Sequence, residues 1–385
     1  MLALPTTRLR TPLLDRLGPG ATADPERPAT ALFCITLAFL ALGFLLQLSH
    51  AATTVPVESF PGELRELVGL RAIALLVLLA AWRFGPSGVR PLVPGLALAT
   101  LVALVLCYVP PFRQGANGSL RWIDLPFLPV TLQPSEIARV VIVLWIADRC
   151  ARLGDRMHLL VRGFLPTFSF GLLMFTPIVR QPDLGGALLF LLALVSTMWV
   201  GGARPAHVIG SLGLVGGAGM LYAVSSLAYV RQRLSVWVSD SGNEQVTRTL
   251  QAIASGDWLG VGYAQGAWRN HGLQYMQTDY AYSLVGEELG LAGLLVVLVL
   301  VLAFVWYSFQ LVLSIRDRYR ALVAFGLLTS VALQAMLHLQ VVTGLAPPKG
   351  MNLPFLSAGG SSLVASALAV GLALGAARSP ALDRS

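Results

Sequence analysis

The stretch His271–Gly290, HGLQYMQTDYAYSLVGEELG, runs without interruption into Leu291–Phe309, LAGLLVVLVLVLAFVWYSF. The second half has close to the roughly 20 apolar residues that a bilayer-crossing helix needs. Asp279 therefore stands at the water end of a predicted transmembrane helix. On a 3.6-residue period, Asp279, Ser283, Gly286 and Gly290 fall within roughly 60° of one another. They form a narrow stripe of small and polar side chains under an aspartate, with Tyr280 and Tyr282 beside it. Glu287 and Glu288 lie deeper and off the stripe, where a carboxylate costs several kcal/mol unless partnered. Asp279 is equally suited to capping the helix; this stretch alone does not separate a cap from a site.

The rest of the chain has the same character. Of 385 residues, 56% are hydrophobic and 12% charged, with a mean hydropathy of +0.72. A soluble globule carries about 25% charged residues, so the chain reads as an all-α polytopic membrane protein. Hydrophobic runs near 31–49, 67–84, 91–110, 134–148, 163–179, 184–201, 206–230, 280–309, 320–343 and 358–377 predict about ten transmembrane helices. A long outer loop, about 231–279, separates the seventh from the eighth, and another covers about 110–133. Residues 1–29 read as a cytoplasmic arm, 30–378 as a single transmembrane domain and 379–385 as a cytoplasmic tail.

The net charge of +8 is nearly all arginine, Lys349 being the only lysine. In a membrane protein such charge reports orientation before nucleic-acid binding, and no nucleic-acid partner is expected. Placing both termini in the cytoplasm gathers Arg83, Arg90, Arg149, Arg152, Arg156, Arg162, Arg204, Arg316, Arg318, Arg320 and Arg378 on the inner side. Cys34, Cys107 and Cys150 lie in or at the ends of spans and give neither a disulfide framework nor a metal spacing. A cleaved leader ending near Ser49–Ala52 is disfavoured, because its apolar run is long and follows a polar arm. The first three helices read as lipid-facing bulk, and Arg65 and Arg71 as a solvated charged surface.

Several loops carry more than connection. Pro110–Gln133 mixes turn formers with Trp122 and Phe127, which suits a segment at the membrane interface. It leads into QPSEIARVVIVLW, where Glu136 and Arg139 are three positions apart and meet on one helix face. We expect them to form a structural ion pair. Arg180–Asp183 is a short turn between two spans, with Asp183 placed to cap the second. The glycines at 210–219 and 359–360 read as packing and turn devices. The five histidines are scattered.

GSLRWIDLPFLPVTLQPSE, RQPDLGGALL, PPKGMNLPFLSAGGSSL and the opening stretch resemble, in order, the signature segments of the SEDS family (shape, elongation, division and sporulation; the FtsW, RodA and SpoVE group). The resemblance runs from about 30 to 378 and leans to the division-type FtsW branch. It implies a peptidoglycan glycosyltransferase that polymerises lipid II at the outer face of the cytoplasmic (inner) membrane. It also implies a class B penicillin-binding protein as transpeptidase partner, among other divisome or elongasome membrane proteins and membrane lipid. The family's essential outer-loop aspartate maps onto Asp279, its QPSE-helix pair onto Glu136 and Arg139, and its QPDLG aspartate onto Asp183. Gln277, Ala358 and His338 depart from the family pattern, which has His, Tyr and Asn there.

The chemistry asks for a base and for cations. A sugar hydroxyl attacks the anomeric carbon that bears the diphosphate; a carboxylate taking its proton contributes about 10²–10⁴-fold, and Asp279 is that candidate. The leaving diphosphate needs positive charge or oriented N–H groups. Arg113, Arg121, Arg180, Asp183, Lys349, Ser361 and Ser362 are the candidate substrate-binding residues, the two serines opening the last helix. Arg231, Arg233, Arg248 and Arg269 also face outward. The residues show no metal site, although a divalent cation, Mg or Mn, is compatible with the phosphates. The Asp279 stripe is suited to wall a groove for the polyprenyl tail. The rivals are a lipid-linked oligosaccharide flippase, for which no repeated halves are visible, and a non-catalytic divisome scaffold.

Overall fold

The computed structural model describes residues 24–110, 113–116, 119–124, 131–181, 183–226, 230, 231, 235, 237, 244–268, 273 and 275–378. Side chains are outside that description at 113–116, 119, 120, 124 and 131. Most of the predicted arm, the tail, Arg233, Arg269 and His271 also lie outside the described residues.

Each apolar run carries a helix: α1 (Glu26–Thr54), α2 (Phe60–Val89), α3 (Val93–Leu106), α4 (Pro134–Leu153), α5 (Leu165–Arg180), α6 (Leu184–Val200), α7 (Pro205–Ser226), α9 (Ala281–Ser314), α10 (Arg318–Val342) and α11 (Gly360–Ala376). An amphipathic helix, α8 (Glu244–Ser255), lies within the predicted long loop. Among the described residues six segments are long and apolar enough to cross a membrane, and one of them, Phe60–Leu106, joins α2 to α3. The 110–133 loop adds a small antiparallel sheet of β1 (Arg113–Ala116), β2 (Ser119–Asp124) and β3 (Thr131–Leu132), in that order.

The core is built on α4, α6, α9, α10 and α11, whose facing residues are buried together. In α11, a Cβ on Gly375 would stand 2.7 Å from the Gly85 Cα of α2, so these two helices touch at the backbone, as membrane helices do where small residues face each other. Helix α1 belongs to this core through Leu32, Phe39 and Leu46. The glycines at 210, 213, 216, 217 and 219 do not pack the chain as expected: a Cβ there would meet nothing within 4 Å, because α7 stands largely clear of the bundle.

Arginines assigned to the inner side gather at one end. Arg90 and Arg152 each reach Asp148 at 2.7 Å. Arg320 donates to the Arg378 carbonyl at 2.6 Å, and Arg378 donates to that of Arg83 at 3.0 Å.

Helix α9 is not the continuous rod that the period count assumes. It breaks at Gly290, where φ is +64°. Residues 257–262 enter the break and take over its backbone bonds. Leu291 N–H donates to Asp257 O at 2.8 Å and Ala292 N–H to Trp258 O at 3.1 Å, while Val261 N–H donates to Glu287 O at 2.9 Å. The predicted stripe is consequently covered. Ser283 is fully buried, Gly286 packs against Ile253 of α8, and Gly256 sits against the Gly286 carbonyl. The groove expected along that face is filled by the chain's own loop.

The two deep glutamates are both partnered, Glu287 by the same loop and Glu288 by α1. Glu287 accepts from the Ala267 and Trp268 N–H groups at 2.5 and 3.0 Å, and Glu288 accepts from the Ser49 hydroxyl of α1.

Gly260, at φ +83°, threads this break, and a Cβ there would stand 2.6 Å from Leu289 N. Gly260→Ala combines a left-handed backbone penalty of about 1–2 kcal/mol with an overpacking cost of about 1–3 kcal/mol. We expect a lower melting temperature of the purified protein in detergent, whereas Gly262→Ala, with its nearest contact at 3.4 Å, should lose less.

Candidate active site

The connection from α10 to α11, residues 343–359, folds back among the spans. Its Leu353, Pro354 and Phe355 line an apolar groove with Phe39 of α1, Phe304 of α9 and Val331 of α10. Irregular backbone at such depth must find hydrogen bonds within the protein. Side chains on neighbouring helices supply them. Gln47 of α1 donates to the Leu356 and Gln277 carbonyls, both at 3.0 Å. Gln334 of α10 donates to Asn352 O at 3.0 Å, and His338 Nδ1 meets Met351 O at 2.7 Å. The Ser357 hydroxyl accepts from Leu353 N and donates to Thr278 O, while Ala358 N–H donates to Gln277 O at 2.9 Å.

This segment brings Gly350, the residue after Lys349, to Asp279. Asp279 is half-buried, and a Cβ on Gly350 would come within 2.8 Å of its Oδ2. Asp279 is not the cap of α9. Tyr280 occupies the N-cap position, and no side chain makes a capping hydrogen bond there. The cap reading is therefore corrected. Lys349 is half-buried, and loss of hydration pushes its ammonium below the ordinary lysine value.

Asp183 is a junction between three segments. Its Oδ1 caps α6 by accepting from Gly186 N–H at 3.0 Å, and its Oδ2 accepts from Gln133 Nε2 and the Ser135 hydroxyl, each at 3.0 Å. Arg121, lying over the Trp122 ring, approaches Oδ1 at 3.8 Å. Gln133 N–H donates to Ser361 Oγ at 3.0 Å, tying the junction to the start of α11.

Glu136 and Arg139 pair at 3.0 Å on α4. Arg139 continues the chain, donating to Gln334 Oε1 at 2.6 Å, while Gln334 donates to Ser362 Oγ at 3.0 Å. Ion pair and re-entrant segment are thus one network across α4, α10 and α11.

The predicted cations are unequal. Arg121 is held at the Asp183 junction and Arg180 is exposed at the end of α5. Arg113 lies in β1 opposite Ile123, its side chain outside the described residues. Arg231 is spent on the Val224 and Ser225 carbonyls and Arg248 on Glu244. Arg71 is not a solvated surface residue: it is half-buried, with Nε and Nη2 unpartnered. Sequence reasoning also missed Gln47 and Ser49, although polar residues in an apolar span were the available signal. Among the described residues no group of three or more His, Cys, Asp or Glu gathers to hold a metal.

The model of the FtsW/RodA/SpoVE family, described as cell cycle protein, matches residues 29–381. Stage V sporulation protein E of Bacillus subtilis is 31% identical over 369 residues, covering 93% of this chain and 99% of its own. A "Probable peptidoglycan glycosyltransferase FtsW" of Nitrosococcus halophilus is 32% identical over 371 residues, 92% of each chain. Among solved structures, a chain of a peptidoglycan synthase complex that coordinates polymerization and crosslinking superposes with a TM-score of 0.72 at 25% identity, covering 89% of this chain and 95% of that one. The rod shape determining protein RodA of Thermus thermophilus shares the fold at a TM-score of 0.61 and 24% identity, over 90% and 95% of the two chains.

Removing one partner of a buried pair costs about 3–5 kcal/mol because the other is left uncompensated. Arg139→Met should therefore lower folded yield and melting temperature, and Glu136→Gln should do so less, since Glu136 retains some exposure (14%). Gly350→Ala should leave the melting temperature nearly unchanged and reduce activity, because its Cβ would press on the Asp279 carboxylate. Normal turnover by that variant would show that the approach does not matter.

Proposed function

The chain belongs to the FtsW/RodA/SpoVE family, and from that membership we propose that it is a peptidoglycan glycosyltransferase polymerising lipid II with Asp279 as general base. The observation that carries this is the Asp279 carboxylate, released from any capping duty and set against Gly350 beside Lys349. An acceptor sugar hydroxyl bonds to the anomeric carbon of a second lipid II while the bond from that carbon to the diphosphate breaks. The hydroxyl proton passes to Asp279, and undecaprenyl diphosphate leaves. Lys349 sits where an anionic leaving group gains most from it, because a partly desolvated cation acts in a low effective dielectric. Arg121, Arg180 and Ser361 are the further residues assigned to holding the diphosphate and sugars, while Ser362 is buried with its hydroxyl accepting from Gln334. Mg or Mn, where required, enters with the diphosphate.

The reading places the reaction at the outer face of the inner membrane with both termini cytoplasmic, in agreement with the arginine asymmetry. It gives the chain a class B penicillin-binding protein as crosslinking partner. The similar chain from a complex that coordinates polymerization and crosslinking supports this, and relatives named FtsW favour a division role.

The test is polymerisation of lipid II in detergent by the purified protein with its partner, where there is no membrane for a flippase to cross. Asp279→Asn should lose about 10²–10⁴-fold in rate with its melting temperature and partner binding intact. Lys349→Met should raise KM for lipid II. Near-normal polymer from Asp279→Asn would remove the aspartate from the chemistry.

A further inference from the structure

Arg71 lies on α2, one turn inside the apolar run that begins at 67. Its Nε and Nη2 are buried without a hydrogen-bond partner, and Nη1 has only a 3.5 Å contact with the Leu67 carbonyl one turn back. No carboxylate among the described residues pairs with it. Its guanidinium carbon stands 5.7 Å from the centre of the Phe44 ring of α1. A guanidinium does not escape burial by giving up its proton. A buried charge with no partner is an incomplete site, and the missing piece is an anion.

The position indicates which anion. Leu70, the neighbour of Arg71, meets Gly360 at the start of α11, where a Cβ would stand 3.4 Å from Leu70 Cδ2. Three residues earlier in that segment, the Ser357 hydroxyl donates to the carbonyl of Thr278, next to Asp279. The residue next to Arg71 thus packs at the end of the segment that is bonded to the neighbour of the candidate base. It is one turn below the apolar boundary, and a long arginine side chain reaches from there to the headgroup level.

We propose that Arg71 binds the phosphate of a lipid seated in the predicted outer leaflet. Two lipids offer that group, the diphosphate of the polyprenyl-linked substrate and an ordinary anionic phospholipid; the first deepens the glycosyltransferase reading and rests on it. The planar guanidinium has two nitrogens without partners, Nε and Nη2, and this matches bidentate recognition of a phosphate better than a lysine would.

The experiment uses the full chain, stripped of lipid in a maltoside detergent that has no phosphate. Undecaprenyl diphosphate and phosphatidylglycerol are titrated separately into wild type, Arg71→Lys and Arg71→Gln, and binding is read from the thermal shift. At least one probe should stabilise the wild type, with affinity reduced at least tenfold in Arg71→Gln and less in Arg71→Lys. Without added lipid, Arg71→Gln should melt no lower than wild type, since it removes an unpaired charge; an arginine serving only the fold would give a lower value. Dependence confined to the diphosphate assigns the site to substrate, and dependence confined to phosphatidylglycerol assigns it to a bound phospholipid. Equal affinities of Arg71→Gln and wild type for both probes, including no binding by either, overturn the proposal. Because binding is read without turnover, the outcome is independent of what Asp279→Asn does to polymerisation.

Discussion

The structure depends on satisfying the backbone of residues 343–359, an irregular segment folded back among membrane helices. Each peptide group buried there without a partner costs about 1–3 kcal/mol. Gln47, Gln334 and His338 carry those bonds from α1 and α10. Their presence in apolar spans is otherwise unfavourable, so the segment explains them. In turn they fix the height at which Gly350, the residue after Lys349, meets Asp279. The Glu136–Arg139 pair belongs to the same constraint, because Arg139 orients the Gln334 amide that serves Asn352 and Ser362.

A second break in regular structure follows the same rule from the other side. Helix α9 gives up hydrogen bonds around Gly290, and residues 257–262 replace them one for one. Glu287 and Glu288 would be expensive on a lipid-facing helix. Here Glu287 is an acceptor for loop N–H groups that need one, and Glu288 is an acceptor for the Ser49 hydroxyl of α1. The result is a short rigid stub, Ala281–Leu289, clamped by α8, the 256–268 loop and α1, with Asp279 just before its first turn. A carboxylate held this way is already ordered, as the proposed role of Asp279 as base asks.

The sequence made legible whatever depends on composition or on short helical spacing. The apolar runs became helices, Glu136 and Arg139 met three residues apart, and Asp183 capped α6. The family segments identified Asp279. A period count, however, assumes an unbroken helix, and a single glycine with positive φ defeats it. The stripe through Ser283 and Gly286 was real, but its occupant is a distant part of the chain. Gln47 and Ser49 escaped notice, and Arg71 was read as solvated surface, for a related reason. Their meaning lies in what stands opposite them, more than 200 residues away for Gln47 and Ser49, and no local pattern reports that. The sheet at 113–132 was hidden by short strands whose pairing is set by turns.

What the site withholds from itself completes the argument. The carboxylates deepest in the bundle are occupied by backbone or hydroxyl donors, and the Asp148 carboxylate by two arginines at the opposite end. Lys349, within the segment that meets Asp279, and Arg71, whose neighbour Leu70 packs at the end of that segment, have no carboxylate at ion-pair distance among the described residues. An ion pair with a neighbouring carboxylate would have been the cheaper arrangement for stability, since an uncompensated, partly desolvated cation weakens the fold. The same cations recover that cost only when an anion arrives. Under the proposed glycosyl transfer, interaction energy held back in this way is available to a bound diphosphate and grows as charge develops on the leaving group. A scaffold would gain nothing from leaving them bare.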